Sequence, residues 1–211
     1  MSKQLAAYRL PALTGAPAVE YLTEVQMNAL VDTFQRWFDE SPTEAKRKSR
    51  GRYWLCFLVL RFTGARLGEV LRIDDRTDID FRNAEIKLVT LKRHNRARKN
   101  HTRIVPVPAN VISEIATYLA EFPEQKGKVF ALDQGNFRCI FYERAQEAGI
   151  PKGLDHPHIL RHTRAVELLR TGVPVTIVQD LLGHAALTTT ALYLRISGQE
   201  AKWILRQKGM I

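Results

Sequence analysis

Long apolar runs are missing from this chain of 211 residues. The longest, Tyr53-Trp54-Leu55-Cys56-Phe57-Leu58-Val59-Leu60, falls far short of the roughly 18 residues that a membrane span needs. It reads as a buried helix. The first residues lack a basic start followed by an apolar stretch, so no secretory leader is expected. Cysteine is scarce, with Cys56 and Cys139 the only two. Both lie in apolar-periodic segments, which argues against a disulfide framework and predicts buried free thiols in a reducing cytosol. No internal repeat and no low-complexity tract is seen. Acidic residues are also short, at 22 against 32 Lys and Arg, which leaves a formal charge of +10.

That charge favours a polyanionic partner, and its distribution sharpens the expectation. The run from Lys46 to Arg52 holds five basic residues in seven: Lys46, Arg47, Lys48, Arg50 and Arg52. A second run holds Lys92, Arg93, Arg96, Arg98, Lys99 and Arg103, with His94 and His101 among them. No acid interrupts either run. Both are expected to contact DNA, through Lys46, Arg47, Lys48 and Arg50 in the first and Arg93, Arg96, Arg98, Lys99 and Arg103 in the second. Phosphate contacts of this kind make affinity fall steeply with salt.

Periodicity predicts one mainly α domain with a small antiparallel sheet inserted early, an α+β arrangement. Residues 1–20, with Pro11, Gly15 and Pro17, read as a flexible N-terminal arm. Thr23 and Gln26 form a capping box for a helix carrying Leu30, Val31, Phe34 and Phe38, which Ser41-Pro42 ends. A second helix is expected over 51–62 and a third from about Ala65. Short strands are expected at Ile79-Asp80-Phe81, at 85–91 and at 104–107, with the basic loop joining the last two as a long hairpin. Helices follow over 109–122 and 136–149. The chain is then helical from His158, broken at Gly172-Val173-Pro174 and at Gly183.

Several residues in this frame suit chemistry on a phosphate. Arg66 follows Gly64 at an expected helix start, where free backbone N–H groups would add to an anion site. A guanidinium offers two parallel hydrogen bonds to phosphate oxygens. Arg61 and Arg72 are close by, and periodicity alone does not exclude them. His158 and Arg161 are three apart on a helix and share a face, so both can reach one phosphate. A different arrangement of the same stretch, with His156, His158, His162 and Asp155, would make a metal site. Gly183 is expected to end a helix in a left-handed cap ahead of His184. Tyr193, flanked by Leu192 and Leu194, is either a core tyrosine or a nucleophile.

Three pieces in this order decide between those alternatives: Thr63-Gly64-Ala65-Arg66-Leu67-Gly68-Glu69, then His158-Ile159-Leu160-Arg161-His162-Thr163, then Leu182-Gly183-His184 with Tyr193 nine residues after the histidine. Together they resemble the active site of the tyrosine recombinases, the lambda-integrase family, over about residues 20 to 205. The resemblance implies that family's catalytic-domain fold and a site-specific DNA recombinase. Its catalytic residues would be Arg66, Lys92, His158, Arg161, His184 and Tyr193. Glu69 would be a buried acid supporting the site, and Lys92, ending the second strand, the proton donor to the leaving oxygen, with Lys99 its rival. Tyr193 would form a 3′-phosphotyrosyl link, and no metal, ATP or other cofactor would be needed. The implied partners are double-stranded DNA carrying recombination sites, three further copies of the chain on that DNA, and an accessory DNA-binding protein, with no membrane. The implied place is the cytoplasm, at the nucleoid. Residues 21–197 would be the catalytic domain, and 198–211 an exchange segment docked on a neighbouring protomer. About 50 residues precede the second helix, too few for the family's usual N-terminal clamp. A type IB topoisomerase and a non-catalytic DNA-binding regulator are the alternative readings.

Overall fold

The computed structural model describes residues 20–90 and 101–183, together with Arg206 and Gly209. Among the described residues, the elements order as α1 (Glu24–Asp39), α2 (Glu44–Thr63), α3 (Leu67–Val70), β1 (Ile79–Asp80), β2 (Glu85–Thr90), β3 (His101–Pro106), α4 (Ala109–Glu121), α5 (Gln134–Glu147), α6 (His158–Arg170) and α7 (Val175–Leu182). The chain is mainly α with a small antiparallel sheet, as its periodicity predicts. Among the described residues, no helix is long and apolar enough to cross a membrane.

Helix α2 is the centre of the core. From Trp54 to Leu60 every side chain is buried, the pattern of a helix enclosed on all sides. The rings of Phe34 on α1 and Phe57 on α2 stack with centroids 4.2 Å apart, and Phe141 of α5 leans on both. Helix α1 starts at the expected capping box, with Thr23 and Gln26 each satisfying the other's backbone N–H. The entering chain is pinned to α6, where Thr163 Oγ1 accepts from the Leu22 N–H at 2.9 Å. Next to it, Tyr21 is buried and its hydroxyl accepts from Arg170 at 2.9 Å.

The strands pair in the order β1-β2-β3, all antiparallel, with Ile86 opposite Val105 and Leu88 opposite Arg103. Side chains of directly opposed residues lie on one face. Ile86, Leu88, Thr90, Arg103 and Val105 therefore form the inner face, and all five are buried.

Three expectations are corrected. Helix α2 begins at Glu44, capped by the Thr43 side chain, seven residues before the expected start. The first basic run is therefore the opening of a helix, where side chains find neighbours at fixed spacing. Strand β3 begins at His101, three residues before the expected start at Ile104. Cys56 is buried, and burial pushes its thiol pKa well up, but Cys139 is exposed on α5.

Candidate active site

The C-terminal end of α2, the turn of α3, the start of α6 and the end of α7 meet at one place. Gly64 ends α2 in the left-handed region, at φ 61°. A side chain there would be strained by the backbone itself, and its Cβ would lie 2.5 Å from Leu182 Cδ2. The resulting sharp exit turns Arg66 out of the helix axis. Arg161, 2% exposed, donates from Nη1 to the Gly64 carbonyl at 2.8 Å. The first half of the site is thus bonded to the second through the backbone of that turn.

Arg66 has an exposed guanidinium anchored from behind. Its Nη1 donates to Glu69 Oε1 at 3.2 Å and to the Gly183 carbonyl at 3.5 Å. The Glu69 side chain is 1% exposed. Its Oε2 accepts from the Arg66 backbone N–H at 3.0 Å, and Ala65 N–H donates to Thr63 Oγ1 at 3.1 Å. Both N–H groups of the turn are therefore taken by the chain's own oxygens. Those two groups precede the first helical residue, Leu67, and brace the turn that carries Arg66.

His158 opens α6 with one side open to solvent and its ring crowded by its neighbours, His162 among them. Its pKa is lowered by burial first, then by the positive charges of Arg161, His156 and Arg66. Groups from two segments, the start of α6 and the Arg66 turn, therefore act on one imidazole and disfavour its protonated form. His162, one turn on, sets its ring edge-on to His158 with centroids 4.7 Å apart. Burial, His158, His156 and Arg161 push its pKa down to about 4. Among the described residues, no group of three His, Cys, Asp or Glu is placed to hold a metal ion.

The structure also sorts the rival arginines. Arg61 is turned to the middle of α6, where it bonds Glu167 at 2.6 Å. Arg103, expected on DNA, is corrected to an internal residue: its side chain is 5% exposed and pairs with Glu69 at 2.7 Å. Breaking so buried a pair costs about 3–5 kcal/mol. The alternation of Arg103, Val105 and Val107 along β3 carried the signal, because residues two apart share a face.

The first basic run is committed elsewhere. Arg47 forks onto Glu121 at 2.6 and 3.3 Å and lies over the Phe38 ring. Lys48 bonds Glu124 at 2.7 Å. Arg50 donates to the Trp37 carbonyl at 2.7 Å. Arg52 donates to the carbonyls of Lys128, Val129 and Ala131. Of the basic residues of the run, Lys46 alone is exposed. From Lys48 to Gly64 the helix climbs about 24 Å, so these groups sit at the end of α2 away from Arg66. Lys92, Arg93, Arg96, Arg98, Lys99, His184 and Tyr193 lie outside the described residues. So do residues 1–19 of the expected arm, and 198–211 apart from Arg206 and Gly209.

A model of the phage integrase family matches residues 20–200. The chain belongs to the phage integrase family. A tyrosine recombinase of Thermosipho africanus (strain TCF52B) is 30% identical over 189 residues, which are 86% of this chain and 59% of that protein. The putative integrase/recombinase y4gC of Sinorhizobium fredii (strain NBRC 101917 / NGR234) is 32% identical over 152 residues, 67% of this chain and 74% of the relative. The chain spans about half to three-fifths of the length of the first curated relatives it matches. Among solved structures, the XerA recombinase superposes with a TM-score of 0.67 at 23% identity, over 97% of this chain and 67% of that one. The XerH site-specific recombinase bound to difH substrate, a pre-cleavage complex, gives 0.66 at 24% identity, over 86% and 52%. At these identities the structures share the fold.

Proposed function

We propose that this chain is a site-specific DNA recombinase that cuts and rejoins strands through a 3′-phosphotyrosine. The observation that carries the reading is the meeting of Arg66, His158 and Arg161 at the Gly64 turn, with Arg66 bonded to the carbonyl of Gly183, the residue before His184. Two guanidinium groups and an imidazole around one point suit a phosphodiester, whose transition state gathers negative charge on its nonbridging oxygens.

In this reading the Tyr193 hydroxyl oxygen attacks the phosphorus and the bond to the 5′ oxygen breaks. A free phenol is almost wholly protonated at neutral pH, so the proton must leave as the bond forms. His158, kept neutral by burial and the arginines, can accept it. Arg66, Arg161 and His184 hold the nonbridging oxygens. Lys92 protonates the departing 5′ oxygen, with Lys99 its rival. A 5′ hydroxyl of the partner strand then reverses the step. The link keeps the phosphodiester's energy, so the cycle needs no ATP. Two such exchanges on two DNA sites call for four protomers. The apolar tail around Trp203, Ile204 and Leu205 is the segment suited to dock on a neighbour.

A nicked duplex whose short cleaved fragment diffuses away tests this directly. The wild type accumulates a covalent protein–DNA adduct, and Tyr193→Phe binds the duplex with similar affinity but forms none. An adduct at wild-type level in that variant removes the assignment. Lys92 is separated from Lys99 by a 5′-bridging phosphorothiolate, whose sulfur leaves without protonation. The lysine whose Ala variant is rescued on that substrate is the acid.

A further inference from the structure

We infer that Arg103 is a positioning residue of the cleavage site, holding the Arg66–Glu69 turn and the Gly183 turn in register. The inference rests on the recombinase reading above. Arg103 projects from the inner face of β3, opposite Leu88. Its guanidinium reaches three separate segments. Nε donates to the Leu181 carbonyl at the end of α7, at 2.8 Å. Nη1 donates to Thr90 Oγ1 on β2 at 2.6 Å and reaches Glu69 Oε1 at 3.4 Å. Nη2 donates to Glu69 Oε2 at 2.7 Å.

Two of those contacts, to Glu69 and to the Leu181 carbonyl, lead on to the proposed site. Glu69 passes the constraint to Arg66, through both its backbone N–H and its guanidinium. The Leu181 carbonyl passes it to the last turn of α7, which Gly183 closes at φ 68°. Glycine at 183 also makes room for Arg103 itself, since a Cβ there would lie 2.7 Å from Arg103 Nη1 and 3.0 Å from Thr90 Oγ1. Arg66 bonds the Gly183 carbonyl and closes the ring of contacts.

Stability alone is a weak reason for such an arrangement, because a buried ion pair is often no better than apolar residues of like volume. Its geometry is the better reason. A planar fork of five N–H groups can fix three acceptors at set angles, which a lysine with one nitrogen cannot. A displacement of about 1 Å in a reacting group can cost on the order of 100-fold in rate.

The test compares the full-length wild type with Arg103→Met and Arg103→Lys. Covalent adducts are trapped from a library of nicked mixed-sequence duplexes, binding is measured on the same duplexes, and backbone amide exchange is followed by segment. Arg103→Met is expected to slow adduct formation on the order of 100-fold, with affinity changed less than about threefold. Exchange should quicken in 66–70 and 181–183 while α1, α4 and α5 keep wild-type protection. Arg103→Lys should fall between the two, and it carries the test with the same readouts if the Met variant does not fold. Wild-type rate and unchanged exchange would overturn the inference. So would quickened exchange spread evenly over α1, α4 and α5, which would make Arg103 an ordinary core residue. If the wild type itself yields no adduct while Tyr193→Phe behaves identically, the recombinase reading fails. The exchange pattern still decides separately whether Arg103 joins the two turns.

Discussion

The two ends of α2 carry similar charge and use it in opposite ways. At the N-terminal end, Arg47, Lys48, Arg50 and Arg52 bond Glu121, Glu124 and a set of backbone carbonyls. Each cation there is matched by an oxygen of the chain. At the C-terminal end, Arg66 and Arg103 share the one carboxylate of Glu69, and Arg161 is held by a backbone carbonyl. Two of these three cations share one carboxylate, and the guanidinium of Arg66 stays exposed while buried Glu69 holds it from behind. A count of basic residues in a sequence therefore marks a phosphate site poorly. The balance of cations against acceptors within reach marks it better, because only unmatched charge is left for a ligand.

The sharpest way to break this comparison is to remove one cation from each end. Arg66→Ala takes away a guanidinium that is 43% exposed, so the fold should survive. Losing one fixed stabiliser of transition-state charge costs on the order of 10²–10³ in rate. Adduct formation on a nicked duplex at saturating protein should fall by that amount, while Lys48→Ala stays near the wild type. Comparable losses in the two variants would mean that both ends of α2 serve the chemistry, and the contrast would fail.

Much of this arrangement is legible in the sequence, and what is not legible has specific physical reasons. The Thr23–Gln26 box, the three strands and the turn at Gly183 are local signals, set by hydrogen bonds or φ angles within a few residues. The early start of α2 lies seven residues before Gly51, where the helix is expected to open. The use of Gly51 is tertiary: a Cβ there would lie 2.4 Å from the Tyr118 ring, so glycine permits α2 and α4 to approach. The acids that neutralise Arg47 and Lys48 lie more than 70 residues away in sequence, beyond any local pattern. Arg103 was read as part of a basic loop although its strand parity already turned it inward. Arg66, Glu69, His158 and Arg161 were legible through their order and spacing. Their joining through Gly64 and Gly183 was not.

A smaller effect sharpens the comparison from the side of pH. His162 has a pKa of about 4 against an ordinary value of 6.5. Below 6.5 the unfolded chain binds a proton that the folded chain refuses, so stability falls with pH until about 4. The groups facing it, His158, His156 and Arg161, all act on it in the same direction. The carboxylate of Glu69, lowered in the fold, loses its contribution only once pH drops below the unfolded carboxylate range, near 4.5. The window from 6.5 to 4.5 therefore belongs to the histidines. Urea unfolding across it should show a loss of about 2 kcal/mol, and His162→Gln should remove most of that slope. An unchanged slope in the variant would place the titration elsewhere.

The smallest effect concerns salt, and it tests the matched end of α2 directly. A cation already bonded to a carboxylate adds little net charge, so it displaces few of the counterions condensed on DNA. To reach DNA, Arg47 would have to leave Glu121, and Lys48 would have to leave Glu124. Each freed acid would then face the phosphates and oppose the contact. Arg47→Gln with Lys48→Gln should therefore change the slope of log affinity against log salt by less than about 0.5. Arg96→Gln with Arg98→Gln, in the run between β2 and β3, should reduce it by about 2 if each meets one phosphate. The measurement is a salt titration of binding to one mixed-sequence duplex, made in parallel for both double variants. A drop of about 2 for the Arg47 and Lys48 pair would show that their acids release them to DNA. The two ends of α2 would then differ in chemistry but not in contact.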